Sequence, residues 1–151
     1  MSAPFDIDQV IARITEKVTA FQTVEGAAEY ASITSLKDFR APCAFALLAQ
    51  ERGDTEQMPG ARPSGRQRAI VTFGIVIAVR NYRDKRGAES MDELSPLVGS
   101  CRNALMGWTP AVSGARPCRW LQGDVLEYDS NTLLWSDVYQ TQHFIGGGTG
   151  S

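Results

Sequence analysis

The 151-residue chain is poor in the residue types that chemistry needs. It holds one histidine, His143, and three cysteines, Cys43, Cys101 and Cys118. Thiols that are odd in number, far apart and without a CxxC spacing build neither a disulfide framework nor a zinc site, so a reduced compartment is expected. No glycine-rich phosphate loop is present. The glycines at 146–148 and 150 are followed by no helix that would aim amides at a phosphate. Long hydrophobic runs are missing too. The most apolar stretch, residues 69–79, is far shorter than the roughly 20 residues of a membrane helix, and Arg80 ends it. No basic segment followed by an apolar one opens the chain, so no secretory signal is expected. A formal net charge of −2 leaves no basic excess for nucleic acid or an acidic membrane.

What is present is enough apolar sequence for one domain with a core of its own. Asp6 with Gln9 three positions on reads as a capping box. Ile7, Val10, Ile11, Ile14, Val18 and Phe21 then recur at helical spacing, predicting an amphipathic helix over 6–21 with Arg13, Glu16 and Lys17 on its wet side. Residues 30–36 alternate weakly and read as a short strand or irregular segment. Pro42 opens a strand over 43–49. Residues 50–67 hold Gly53, Pro59, Gly60, Pro63 and Gly65 among mixed charges, which predicts a long loop. Over 70–79 both strand parities are apolar, as in a central strand covered on both sides.

Ser90 with Glu93 reads as a second capping box, followed by a helical stripe of Met91, Leu94, Leu97, Val98, Cys101 and Leu105 that Gly107 closes. Strands over 118–128 and 132–145 form a C-terminal hairpin around Asp129, Ser130 and Asn131. The expected fold is α+β: a mostly antiparallel sheet with two helices packed on one face. The domain is expected over 1–145, followed by a flexible glycine-rich tail over 146–151.

Candidate catalytic groups do not converge. Cys118 and His143 would make a nucleophile–base pair only if the last two strands brought them together, and Cys43 and Cys101 lie on apolar faces. Asp92 and Glu93 fall in a first helical turn, where acidic residues are ordinary. Asp124 and Glu127 have opposite parity on one strand, which predicts opposite faces. Arg52, Arg62, Arg66 and Arg68 lie in or beside the 50–67 loop without aromatic residues to stack on bases, which favours a solvated or protein-contacting loop over a nucleic-acid groove.

Residues 124–141, an acidic turn followed by Leu134, Trp135, Ser136 and Asp137 on an alternating strand, resemble the C-terminal hairpin of phage tail terminator proteins. Gly107-Trp108-Thr109-Pro110 is similar to a stretch of the same small tail proteins, and the element order extends the likeness over nearly the whole chain. The resemblance implies a non-enzymatic virion protein without cofactor or metal, assembled in the host cytoplasm. Such a protein forms a six-membered ring that caps the tail tube, stops its growth and offers a head–tail joining surface. Its partners would be further copies of itself, the tube protein and the head–tail connector. DNA would pass its lumen without specific binding, and no membrane would be involved. Sibling neck or tail-completion proteins share the fold. Under this reading Arg52, Arg62, Arg66 and Arg68 are candidates for an assembly loop, and Ile70, Thr72 and Val76 for a subunit interface. A thiol enzyme built on Cys118 is the alternative of another class. Trp135 is expected to lie on the packed face beside Leu133.

Overall fold

A computed structural model of the chain describes residues 2–55, 65–80 and 88–146, with side chains from residue 92 onward in the last segment. The first helix, α1, spans Asp8–Lys17. Val10 and Ile14 are wholly buried along its apolar stripe, as their helical spacing requires. The predicted capping box does not form. The Asp6 carboxylate accepts the Asp8 amide at 3.0 Å, while the Gln9 side chain leaves the helix to accept the amide of Ala111 at 2.8 Å. Arg13, expected on the wet side, donates to the Ala104 carbonyl at 2.8 Å and lies over the Trp108 ring.

After β1 (Thr23–Glu25) the chain forms a second short helix, α2 (Ala27–Ala31), and a 3-10 turn at Leu36–Asp38. Of the short strand or irregular segment expected over 30–36, the irregular alternative holds between the end of α2 and the 3-10 turn. Alanine favours helix, and the spacing of Tyr30, Ile33 and Leu36 suits one packed side of a winding segment. Then follow β2 (Cys43–Gly53) and β3 (Arg66–Arg80). Both strands run into the segment read as a loop, because Arg52 pairs with Ile70 and Gly53 with Ala69 across the ladder. The rest of that predicted loop, with Arg62, lies outside the described residues.

The next helix, α3, spans Ala88–Leu105. It starts before Ser90, so Ser90 is an interior residue and not the cap expected of it. Leu94, Leu97, Val98, Cys101 and Leu105 are buried along it as predicted. Gly107, at φ +81°, turns the chain away in a left-handed conformation that favours glycine. The hairpin of β4 (Arg119–Tyr128) and β5 (Thr132–Gly146) closes the fold. Gly146 belongs to this strand, paired with Arg66, and the predicted tail beyond it lies outside the described residues.

The five strands form one sheet in the order β1-β2-β3-β5-β4, antiparallel except for the β1–β2 pair. Central β3 sends Val71, Phe73, Ile75, Ile77 and Val79, all fully buried, into the main core under α1 and α3. Among the described residues the opposite, outer face is covered chiefly at one end. There Tyr30, Ile33, Leu36 and Phe39 pack over Phe45, Val76, Ala78 and Leu134. The fold is thus the α+β sheet expected, with the α2 segment added on the outer face.

Candidate assembly surface

The edge strand β4 carries the most unusual surface of the molecule. Trp120, Leu121, Val125, Leu126 and Tyr128 are 39, 40, 45, 49 and 63% exposed. An edge strand offers unpaired backbone groups, and natural proteins usually guard such an edge with charge or cover. Here large apolar side chains line it, a composition typical of contact surfaces. The ladder with β5 is irregular after Trp120 and again after Val125. In these bulges Leu121 and Leu126 oppose no residue of β5, and an extra residue of this kind bends a strand and strengthens its twist.

The second bulge also changes which side chains share a face. Asp124 lies opposite Ser136 and Glu127 opposite Leu134, and both partners belong to the outer face. Asp124 and Glu127 therefore sit on the same face, not on opposite faces as strict alternation predicts.

A buried polar knot holds β4 in place. Asp137 is fully buried and takes both Nε and Nη2 of Arg102, at 2.8 and 2.9 Å. It also accepts from Trp135 Nε1 at 2.9 Å and from the Tyr139 hydroxyl at 3.3 Å. The Asp137 hydrogen bond holds the Arg102 guanidinium above its ordinary pKa. Arg102 in turn lies 4.6 Å from the centre of the Trp120 ring. Gly123 passes directly beneath, where a Cβ would come within 2.5 Å of the Trp135 ring and 2.6 Å of Asp137 Oδ1. Trp135 is on the packed side as expected, only partly buried, and Asp137 is the centre of its stripe.

The outer face has two unlike ends. At one, Arg66 and Arg68 both lie 4.3 Å from the centre of the Phe144 ring. Arg68 also donates to the Gly114 carbonyl and to Gln142 Oε1. Burial, with Arg116 and Arg66 nearby, pulls the Arg68 guanidinium below its ordinary pKa. At the other end a groove of about 510 Å³ opens between the α2 segment and the β4–β5 turn. Tyr30, Phe39, Glu127, Tyr128, Asp129 and Leu134 are among its lining residues. Arg80 anchors the groove's wall, donating to Thr132 Oγ1 at 2.8 Å and to the carbonyls of Lys37 and Phe39.

The interface candidates named from sequence separate by position. Val76 is buried within the subunit, 3% exposed, beneath the α2 segment. Ile70 and Thr72 remain partly exposed on the uncovered part of the outer face. Arg52 is exposed on the same face near Arg66 and Arg68. The sequence signal of the β4 stripe is its run of apolar residues at both parities.

Cys118 and His143 have separate surroundings. Cys118 is buried and hydrogen-bonded to Thr141, and burial pushes its thiol up to about 11. His143 meets Glu51 at 3.2 Å and the edge of Phe5, while Glu51 also accepts the Phe5 amide. Burial likewise raises Cys43 to about 11 and Cys101 to about 12. A nucleophilic cysteine needs the opposite shift.

A family model described as phage tail terminator protein matches residues 1–149. Among solved structures, a chain of a particle described as the virion of a native gene transfer agent superposes with a TM-score of 0.52 at 13% identity. The match covers 95% of this chain and 100% of that one. At such identity the likeness is one of fold. None of the curated proteins matches the chain by sequence.

Proposed function

The chain belongs to the phage tail terminator family, and on that premise we propose that it closes the tail tube as a ring of identical subunits. It is a structural protein of a phage-type tail. In the proposed role, a ring of about six copies caps the head-proximal end of the tube, ends tube polymerisation and offers a surface to the head–tail connector. The proposal includes no catalysis and no cofactor, in keeping with thiols that burial holds protonated.

The observation that carries this reading is the apolar edge strand β4. Fully burying a large apolar side chain is worth roughly 1.5–3 kcal/mol, so covering the five half-exposed side chains of β4 would contribute roughly 5 kcal/mol before the entropy of association is counted. Exposed ion pairs contribute about 0–1 kcal/mol each, so apolar contact dominates the affinity and charge sets the orientation. A closed ring needs a heterologous contact, in which one patch meets a different patch on the next subunit. The net charge of −2 also suits a lumen that DNA crosses without adhering.

The test is electron microscopy of tail tubes polymerised with and without the protein. Tubes of regulated length bearing a ring at one end are expected with it, and overlong tubes without it. Unregulated length in both cases, or the protein attached only to head connectors, would overturn the terminator role. In the second case it would be a sibling connector protein.

A further inference from the structure

The strand registers put two opposite chemistries on one face of the sheet, at opposite ends. Arg66 and Arg68 share the outer parity of β3, Phe144 lies beside them on β5, and Arg52 opposes Ile70 on β2. At the far end of the same face, Asp124 and Glu127 line up against Ser136 and Leu134, and Glu127 and Asp129 border the aromatic groove. The arginine end sits at the start of β3 and the groove near its finish. At ~3.3 Å per residue the registers separate Arg68, opposite Phe144, from Glu127, opposite Leu134, by roughly 33 Å, and Arg52 from Asp124 by roughly 20 Å. No side chain bridges either distance, so the two ends cannot satisfy each other within one subunit.

We propose that the two ends of this outer face are complementary to each other between copies: the acidic aromatic groove beside the β4–β5 turn receives the arginine end of a second copy of the chain. The proposal rests on the ring reading above and names its contact. Guanidinium groups suit such a groove because they stack on aromatic rings and fork onto carboxylates. Tyr30 supplies a half-buried ring, with Phe39 buried behind it and Tyr128 at the border, and Glu127 supplies a carboxylate with no hydrogen bond or ion pair among the described residues. Arg52 and Arg116 are the donors best placed to supply the cation. Both are exposed, and neither side chain has a hydrogen bond or ion pair among the described residues. Arg66 and Arg68, stacked on Phe144, form the base behind them. A contact between unlike ends of the same face repeats head to tail, which is the geometry a ring requires.

Two double variants test the contact, with folding checked by thermal melting, since all four positions are exposed. One carries Asp124→Lys and Glu127→Lys, the other Arg52→Glu and Arg116→Glu. Each alone is expected to raise the ring dissociation constant by about tenfold or more, from like charges brought together. An equimolar mixture should recover assembly as alternating complexes, because each variant's altered end meets a complementary end on the other. Native mass spectrometry distinguishes these alternating species by mass. Wild-type-like rings from either variant alone would overturn the contact and leave the ring reading standing. So would losses in both that mixing does not repair. Normal rings that no longer hold the tube end would assign the arginines to the tube protein instead. If the wild-type chain forms no ring in solution or on tubes, the ring reading itself fails and the contact with it.

Discussion

Asp137 shows how much a single buried charge can organise. Four donors from Arg102, Trp135 and Tyr139 converge on its carboxylate, and together they bring α3, β5 and, through Trp120, β4 into one cluster. Asp137→Ala strands the Arg102 guanidinium, whose side chain is 33% exposed, and leaves the Trp135 and Tyr139 donors unpaired. It should therefore destabilise the fold by about 2–4 kcal/mol, read as a lowered urea midpoint. A loss under about 1 kcal/mol would mean that solvent reaches Arg102 easily. The buried thiols make a second prediction. Each titrates near 9 in the unfolded chain and at about 11 to 12 when folded, so the folded state retains protons that the unfolded state releases. Stability from these groups is complete below pH 9 and falls as pH rises toward 11, by roughly 3 kcal/mol per thiol. Tyr139, whose hydroxyl burial also pushes up, acts in the same direction. Cys101→Ala should flatten the alkaline decline measured by urea titration. An unchanged slope would show that this thiol does not contribute.

At the scale of elements, β4 is held on one side and open on the other. Gly123 is the point where the strand passes closest to the packed knot, and a methyl group there would enter space held by Trp135 and Asp137. Gly123→Ala should cost about 1–3 kcal/mol by overpacking and loosen β4 selectively, visible as faster amide exchange along 119–128 than along β3. Uniform exchange in both strands would contradict that. Leu126→Lys, on an exposed bulge, should leave melting nearly unchanged and weaken assembly. Equal assembly by this variant would remove β4 from the interface.

The difference between these two residues reflects what the sequence could convey. Central β3, buried α3 and the C-terminal hairpin were legible, because burial on both faces, helical stripes and turn chemistry all leave periodic traces. The β4 bulges were not. One extra residue at Leu126 reverses the parity that follows it, so Asp124 and Glu127 share a face that alternation assigns to opposite sides. Side chains can also be apolar for reasons outside the subunit. Leu121, Val125 and Leu126 read as ordinary strand residues, and only the sheet order shows that nothing within the described residues covers them. The outer face was hidden for a similar reason. Its aromatic groove joins residues near position 30 to residues near 128, a pairing no local pattern encodes.

The whole molecule is expected to be a monomer in exchange with rings, with no closed dimer. Light scattering over a wide concentration range checks this, and a single discrete dimer throughout would contradict it. Surface charge should make assembly salt-sensitive only in part. Screening weakens the exposed arginine–carboxylate contacts, while apolar burial along β4 persists. The separation of charge along the outer face has an electrical consequence as well. With Arg52, Arg66 and Arg68 at one end of the outer face and Asp124 and Glu127 at the other, these side chains contribute a dipole component along the strands of a lone subunit. In a chain of copies joined end to end those vectors add. Around a closed circle they cancel. Electric birefringence would then fade as the circle closes and grow with every copy added to an open string.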